Sequence, residues 1–297
     1  MARLLSLTFF VALLCSQVQA GILTNGSLTV GLRSNGAIDS VNFGGANFFK
    51  PGAGTNISDF GVQIGTSVGT FRLNDTNGGT GLVLTESGFS YAGAQNWGHD
   101  QLHFLRTYSL VDGRNALRVT STLTNIGSSG FTISQFDTFD PDQAYGFLVP
   151  LLPPGVLSPA LFQTYNDVLT VAGVRVGQAS IDARGHQLTM IVGSYDSRSV
   201  VASGDPLQIG SGDDLNEFFR APADAQGLLE DEGTHIGFRQ FLNPNQSTTF
   251  TYIMAFGSDP TDAQQAFTLA SVPEPSTVAV FGALGLCGLL YRRRATR

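Results

Sequence analysis

The densest set of groups able to do chemistry lies in Phe136-Asp-Thr-Phe-Asp-Pro-Asp-Gln143, where Asp137, Asp140 and Asp142 come close together. Hard oxygen ligands gathered on a loop after a strand are what Ca²⁺ takes. Asn166 and Asp167 would add ligands if the segment before them folds back. The same carboxylates can instead cap backbone amides in an Asp/Pro turn. Neither an EF-hand spacing nor a full nonapeptide repeat accompanies them.

The histidines offer less. His99 and His103 stand four apart in Trp97-Gly-His-Asp-Gln-Leu-His103. On a helix they could share a metal, but the glutamate of a zincin motif is missing. On a strand they lie about 13 Å apart at 3.3 Å per residue, too far for one zinc. Trp97, the sole tryptophan, could stack on a sugar ring or simply pack in the core. His186 or His235 with Glu86, Glu217 or Glu230 could form an acid/base pair, although no spacing selects one. Asp213-Asp214 and Glu230-Asp231-Glu232 read as solvated loop charges. A Walker sequence is absent.

The segments that must position these groups read as strands. Glycine is abundant, with 36 residues, and Phe, Val and Thr recur, which favours β structure over exposed helix. Leu102 to Leu110 and Ala116 to Asn125 alternate most clearly, joined by Asp112-Gly113-Arg114-Asn115. Leu28, Val30 and Leu32 share one face of an opening strand, followed by an Asn35-Gly36 turn and a strand from Ile38. Phe131 to Phe136 is expected to return after the turn at Gly127 to Gly130, which leaves Asp137 on the following loop. Val168 to Val176 reads as one strand. Gly146 to Ala160 holds four prolines and is expected to be a crossover. Asp259 to Leu269 reads as a short amphipathic helix with Pro260 at its start. The fold class expected is all-β, an antiparallel β-sandwich.

Charge and cysteine are segregated along the chain. Of 23 acidic residues all but Glu274 lie between residues 21 and 271, whereas five of the 16 basic residues lie outside that stretch. The body therefore carries −11 against −7 for the whole chain. So acidic a body argues against nucleic acid and against anionic surfaces. Both cysteines, Cys15 and Cys287, fall outside the body, which cannot rely on disulfides.

The two ends carry addresses. Residues 1–20 read as a secretory signal peptide: Arg3, an apolar stretch from Leu4 to Cys15, then Val18-Gln19-Ala20 before a cut at Gly21. The last 26 residues hold three signals in order. Val272, Pro273, Glu274, Pro275 and Ser276, with Thr277, form an extended motif, because the prolines fix φ and lack donors. An uncharged run follows from Val278 to Tyr291, and Arg292, Arg293 and Arg294 open the basic close at 292–297. The run is about 21 Å long as a helix, short for a stable membrane span of about 20 residues.

This order resembles the PEP-CTERM sorting signal of Gram-negative bacteria, a family also called the ice-binding protein C-terminal domain. The resemblance covers roughly the last tenth of the chain. It implies that residues 272–276 are the recognition motif for a membrane-embedded exosortase, that 278–291 form a transient C-terminal transmembrane helix, and that Arg292 to Arg294 are a retention charge. The family's second name is not read as an activity, since no flat Thr-x-Thr array is expected. The opening meander and the strand ending at Asn125 are also loosely similar in organisation to galactose-mutarotase-like supersandwich domains, which bind or process sugars.

The expected protein is thus a signal peptide (1–20), a secreted sandwich or supersandwich body (21–271) and a sorting tail (272–297). Its expected role is that of a non-catalytic surface or matrix protein associated with extracellular polysaccharide. The alternative is a carbohydrate-binding or carbohydrate-active enzyme on the same scaffold. Convergence of Trp97, the histidines and the acids around Asp137 in one pocket would favour that alternative.

Overall fold

The computed structural model describes residues 21–32, 38–48, 58–65, 71–72, 82–85, 88–93, 102–141, 164–181, 187–204, 218–219, 228–230 and 233–271. The expected signal peptide and the expected sorting tail with its membrane helix lie outside them. So do Lys50, Glu86, Trp97, His99, Asp142, His186, Glu217 and the 146–160 crossover.

The strands run in chain order as β1 (Gly21–Asn25), β2 (Leu28–Leu32), β3 (Ile38–Phe43), β4 (Ala46–Asn47), β5 (Ser58–Ile64), β6 (Phe71–Arg72), β7 (Leu82–Thr85) and β8 (Gly88–Gly93). Then come β9 (Leu102–Leu110), β10 (Ala116–Asn125), β11 (Phe131–Phe139), β12 (Thr164–Val171), β13 (Val174–Ser180), β14 (Thr189–Gly193) and β15 (Ser199–Gly204). The chain closes with β16 (Leu228–Glu230), β17 (Gly233–Leu242), β18 (Ser247–Gly257) and the helix α1 (Pro260–Ser271). Every strand pairing is antiparallel.

Among the described residues these strands form three sheets. The order is β1-β2-β3-β4 in the first, β16-β12-β13-β14-β18-β10-β9-β8-β7 in the second and β15-β17-β11-β5-β6 in the third. The long sheet is built around β10 and β18, whose register runs from Ala116 opposite Ala255 to Thr124 opposite Ser247. One continuous apolar core joins all three sheets: Leu28, Val30 and Val41 from the first, Phe104, Val119 and Phe250 from the second, Ile133 and Phe238 from the third. The fold is therefore an all-β sandwich, as alternation along β9 and β10 leads one to expect. The second and third sheets approach closely at Gly177, where an added Cβ would sit 2.2 Å from the Thr234 methyl group across the interface.

Three details differ from the sequence reading. Strand β1 pairs with β2 from Gly21 onward, although its sequence shows no clear alternation. The stretch read as one strand at Val168 to Val176 is a hairpin, turning at Ala172 (φ 49°) and Gly173 (φ 84°). Ala172 is held in the left-handed region by the β12–β13 ladder on both sides. Third, β11 does not stop at Phe136 but continues to Phe139. It is sandwiched between β17 and β5, so Asp137 sits opposite both Ile236 and Phe60. Two-sided pairing outweighs the turn preference of an aspartate.

Helix α1 forms as its caps dictate. Asp259 Oδ1 accepts from the Asp262 amide at 2.8 Å, and Asp262 Oδ2 accepts from the Ser258 amide at 3.0 Å, a reciprocal cap. Its buried face is Ala263, Ala266, Phe267 and Ala270. These residues pack on Val176, Ile191, Ile253 and Ala255, on the outer face of the long sheet. Gly257 lets the helix start directly after β18, because a Cβ there would meet the Ala263 amide at 2.2 Å.

Candidate functional site

Asp137 was expected on a loop as a calcium ligand. The structure instead turns its side chain into the core, 1% exposed, toward Arg106 of β9. Alternation explains this: Ile133, Gln135, Asp137 and Phe139 share the inner face of β11. Arg106 Nη2 donates to Asp137 Oδ1 at 2.5 Å and to the Tyr252 hydroxyl at 2.6 Å. Tyr252 in turn donates to Asp137 Oδ1 at 3.1 Å. Gln135 Nε2 reaches Asp137 Oδ2 at 2.9 Å and Ser121 Oγ at 3.0 Å. The guanidinium carbon lies 4.2 Å from the Phe60 ring centre and 5.4 Å from that of Tyr108.

Electrostatics fixes the charge states of this cluster. Burial alone would lower the Arg106 pKa, but the Asp137 carboxylate beside it carries the net shift upward, so the guanidinium stays charged. Burial pushes the Tyr252 phenol well above its usual value; Arg106 opposes that shift and Asp137 adds to it. Both Asp137 oxygens are committed to donors of the chain itself, so a loop calcium site cannot draw on this carboxylate. Asp140 stands at the end of β11, and Asp142 lies outside the described residues. Among the described residues no group of three or more His, Cys, Asp or Glu could hold a metal ion.

The remaining sequence candidates scatter. His103 lies exposed on the outer face of β9. His235 is buried in β17, where Nδ1 meets Thr138 Oγ1 at 2.7 Å and Nε2 meets the Gly204 carbonyl at 3.3 Å. A carbonyl can only accept, so Nε2 carries a proton and donates to it. Its ring stacks on Phe136 at 5.6 Å. Glu230 belongs to β16, at an edge of a different sheet. The described histidines and acids therefore do not converge in one concave site.

What does open to solvent is a cleft that the sequence did not announce. It holds about 220 Å³ and is lined by Arg118, Ser194, Tyr195, Asp196, Thr249, Thr251, Ile253 and Ser271. Three elements make it. Strand β14 ends at Gly193, four residues before β18 runs out to Thr249 and beyond, so the edge of β18 is left without a strand partner there. The loop from Ser194 to Arg198 covers that edge with side chains. Ser194 Oγ donates to the Thr251 carbonyl at 2.5 Å, and Arg198 Nη2 donates to the Thr249 carbonyl at 2.8 Å. The helix C-terminus closes the far side, where Arg118 Nη2 caps the Ala270 carbonyl at 2.9 Å.

The cleft presents a ring, a charge pair and hydroxyls. Tyr195 stacks on Phe267 at 5.7 Å with 13° between planes, yet remains 47% exposed. Asp196 takes Arg198 in a two-point ion pair, with Nε to Oδ1 at 2.8 Å and Nη2 on Oδ2. Hydrogen bonds from Arg198 hold the Asp196 carboxyl below its usual pKa, against the opposing effect of partial burial. Arg198 is pinned further by Thr248 Oγ1 at 2.6 Å and by the Phe250 ring at 4.5 Å. The volume is below the roughly 300 Å³ at which small-molecule pockets begin, so the cleft seats part of a ligand rather than enclosing one. A flat apolar ring beside fixed acceptors and donors suits a polyhydroxylated ring with an apolar face. Tyr195 and Asp196 carry no motif; the only hint in the sequence is the turn-rich Ser194-Tyr-Asp-Ser-Arg198 between two strands.

No known family model matches the sequence, and no curated protein does. Solved structures do match by shape. A bacterial glucoamylase complexed with acarbose is similar at a TM-score of 0.58 and 13% identity, over 86% of this chain and 35% of that one. A polysaccharide lyase follows at 0.47 and 13%, over 84% and 35%. A galactose mutarotase related enzyme from Lactobacillus acidophilus follows at 0.44 and 10%, over 82% and 99%. The chain thus spans about a third of the glucoamylase and of the lyase. At such identities the likeness is one of fold. The expectation of a non-catalytic matrix protein is corrected at that level: the fold is shared with a bacterial glucoamylase complexed with acarbose.

Proposed function

We propose that residues 21–271 form a carbohydrate-active domain that engages a glycan at the Tyr195 cleft. The observation that carries this reading is the Tyr195 ring, backed by Phe267 and bordered by Asp196, Arg118 and the Thr249 and Thr251 positions. The aromatic face takes the apolar side of a sugar ring, while carboxylate and guanidinium take its hydroxyls. Asp196 remains an ionised acceptor well into acid solution because Arg198 stabilises its charge. The shape likeness to an acarbose-bound glucoamylase supports the reading at the level of scaffold. Titration calorimetry against a panel of oligosaccharides tests it, with reducing-sugar release and anomer interconversion read alongside. Wild-type protein is expected to bind at least one glycan, and Tyr195→Ala to weaken that binding at least tenfold at unchanged melting temperature. Neither binding nor turnover with any glycan sinks the proposal.

The same reading includes delivery. The leader and the PEP-CTERM-like order at residues 272–297 support export, transient membrane anchoring and processing by an exosortase, with the mature body at the surface or in extracellular polysaccharide. Intact-mass measurement of the native protein checks this. Cuts before Gly21 and near Glu274 are expected, and an uncut tail in the wild type refutes the delivery step.

A further inference from the structure

The cleft does not end at Thr249. On the same outer face of the long sheet, β10 and β18 present three cross-strand hydroxyl pairs in register. Thr120 meets Thr251 at 3.0 Å, Thr122 meets Thr249 at 3.2 Å and Thr124 meets Ser247 at 2.7 Å. Thr107 of β9 extends the first rung by standing opposite Thr120. This is the Thr-x-Thr array that the sequence reading did not expect. Helix α1 covers the apolar half of this face at Ile253 and Ala255. The second and third rungs are solvent-exposed.

We infer that this ladder is an extended track for a linear, uncharged glycan, continuing from the Tyr195 cleft. The inference rests on the sugar-directed reading of that cleft and adds the substrate class: internal stretches of a chain, not a single sugar. Three observations carry it. First, the track is continuous with the cleft, since Thr249 and Thr251 belong to both. Second, its charge suits the occupant. The body is strongly acidic, yet from β9, β10 and β18 this face carries only Arg118 at the cleft end and His103 at the other. An anionic chain would find no row of cations along it, and a cationic one no row of carboxylates. Third, the hydroxyls are preorganised. Each is held by its cross-strand partner yet keeps spare donor or acceptor capacity, so a glycan meets a rigid grid at little entropic cost. Successive rungs lie about 7 Å apart along the strands, so the track spans about 13 Å from its first rung to its third and runs about 7 Å beyond the cleft.

The test uses full-length mature protein and graded maltooligosaccharides and cellooligosaccharides, from disaccharides upward. In the wild type, affinity should rise with chain length and then level off. The double substitution Thr122→Val and Thr124→Val keeps β-branched shape while removing hydroxyls away from Tyr195. It should weaken the longest chain roughly tenfold, about the worth of one to two neutral hydrogen bonds, and leave the shortest ligand unchanged. Ser247→Ala gives a milder version at the exposed end. Length-independent wild-type binding overturns the track while leaving the cleft reading intact. No binding at any length overturns both. A wild-type dimer that the double variant abolishes, or thermal hysteresis lost in that variant, also overturns the track by assigning the face to another partner.

Discussion

Arg106 and Asp137 face each other across the interior of the sandwich, 2.5 Å apart, one from the nine-stranded sheet and the other from the five-stranded sheet. Each is only 1% exposed. Such a pair joins the sheets by charge, beside the Gln135 to Ser121 hydrogen bond that also crosses between them. Removing one partner strands the other. Asp137→Ala should therefore cost about 3–5 kcal/mol, whereas Arg106→Met with Asp137→Leu should recover most of that loss. Urea denaturation of the singles and the double checks this. Equal losses in all three would show that the charges do not act as a pair.

Tyr252 shares the cluster and gives it a pH signature. Burial raises its phenol well above its usual value of 10.0, so the folded state holds this proton more tightly than the unfolded chain. That contribution is complete below pH 10 and is lost as pH rises through the unfolded value toward the folded one. Thermal melts from pH 8 to 12 should show a loss of stability starting near pH 10. Tyr252→Phe should flatten that loss, while costing about 1–3 kcal/mol at neutral pH for the hydroxyl bonded to both charges.

The cleft loop behaves oppositely in acid. Asp196 has a folded pKa below 3.8, lowered first by the hydrogen bonds from Arg198. Its contribution is present above the unfolded value and disappears as pH falls through the folded one. The pair is part-exposed, at 33% and 19%, so the effect on global stability is small. Local order should report it better. Protection factors in the 194–198 loop, corrected for the intrinsic pH dependence of amide exchange, should fall at acid pH in the wild type, and Asp196→Asn should show the lower protection already at neutral pH.

Gly257 sets the seat of helix α1. An alanine methyl group would lie 2.2 Å from the Ala263 amide, which is backbone and cannot swing away. Gly257→Ala should lower stability by about 1–3 kcal/mol through displacement of the helix. Because the helix also carries Phe267 beneath Tyr195, the same variant should weaken glycan binding. Binding unchanged in a destabilised Gly257→Ala would separate helix seating from the cleft.

Much of the fold could be read locally. The alternation in β9 and β10, the Asp112 to Asn115 turn and the caps of α1 all depend on residues close in sequence, and their periods survive whatever packs against them. Where a reading failed, a distant partner had decided. Val168 to Val176 looks continuous because neither Ala172 nor Gly173 announces a turn strongly enough; the pairing of Leu169 with Val176 makes it one. Asp137 looks like a loop carboxylate until β5 and β17 pair on both sides of it.

The sequence alone determined an all-β body and its acidic and cysteine-free character. These follow from residue types and short-range periodicity, which need no tertiary partner. Only the tertiary structure decided where the charges go and where a ligand can sit. Arg106 and Asp137 stand 31 residues apart, and their pairing comes from two strands in different sheets facing one core. Tyr195 becomes a platform because Phe267, far along the chain, slides beneath it. Side-chain chemistry is written in order along the chain, but a site is a meeting of residues across sheets, and strand register is what brings them together.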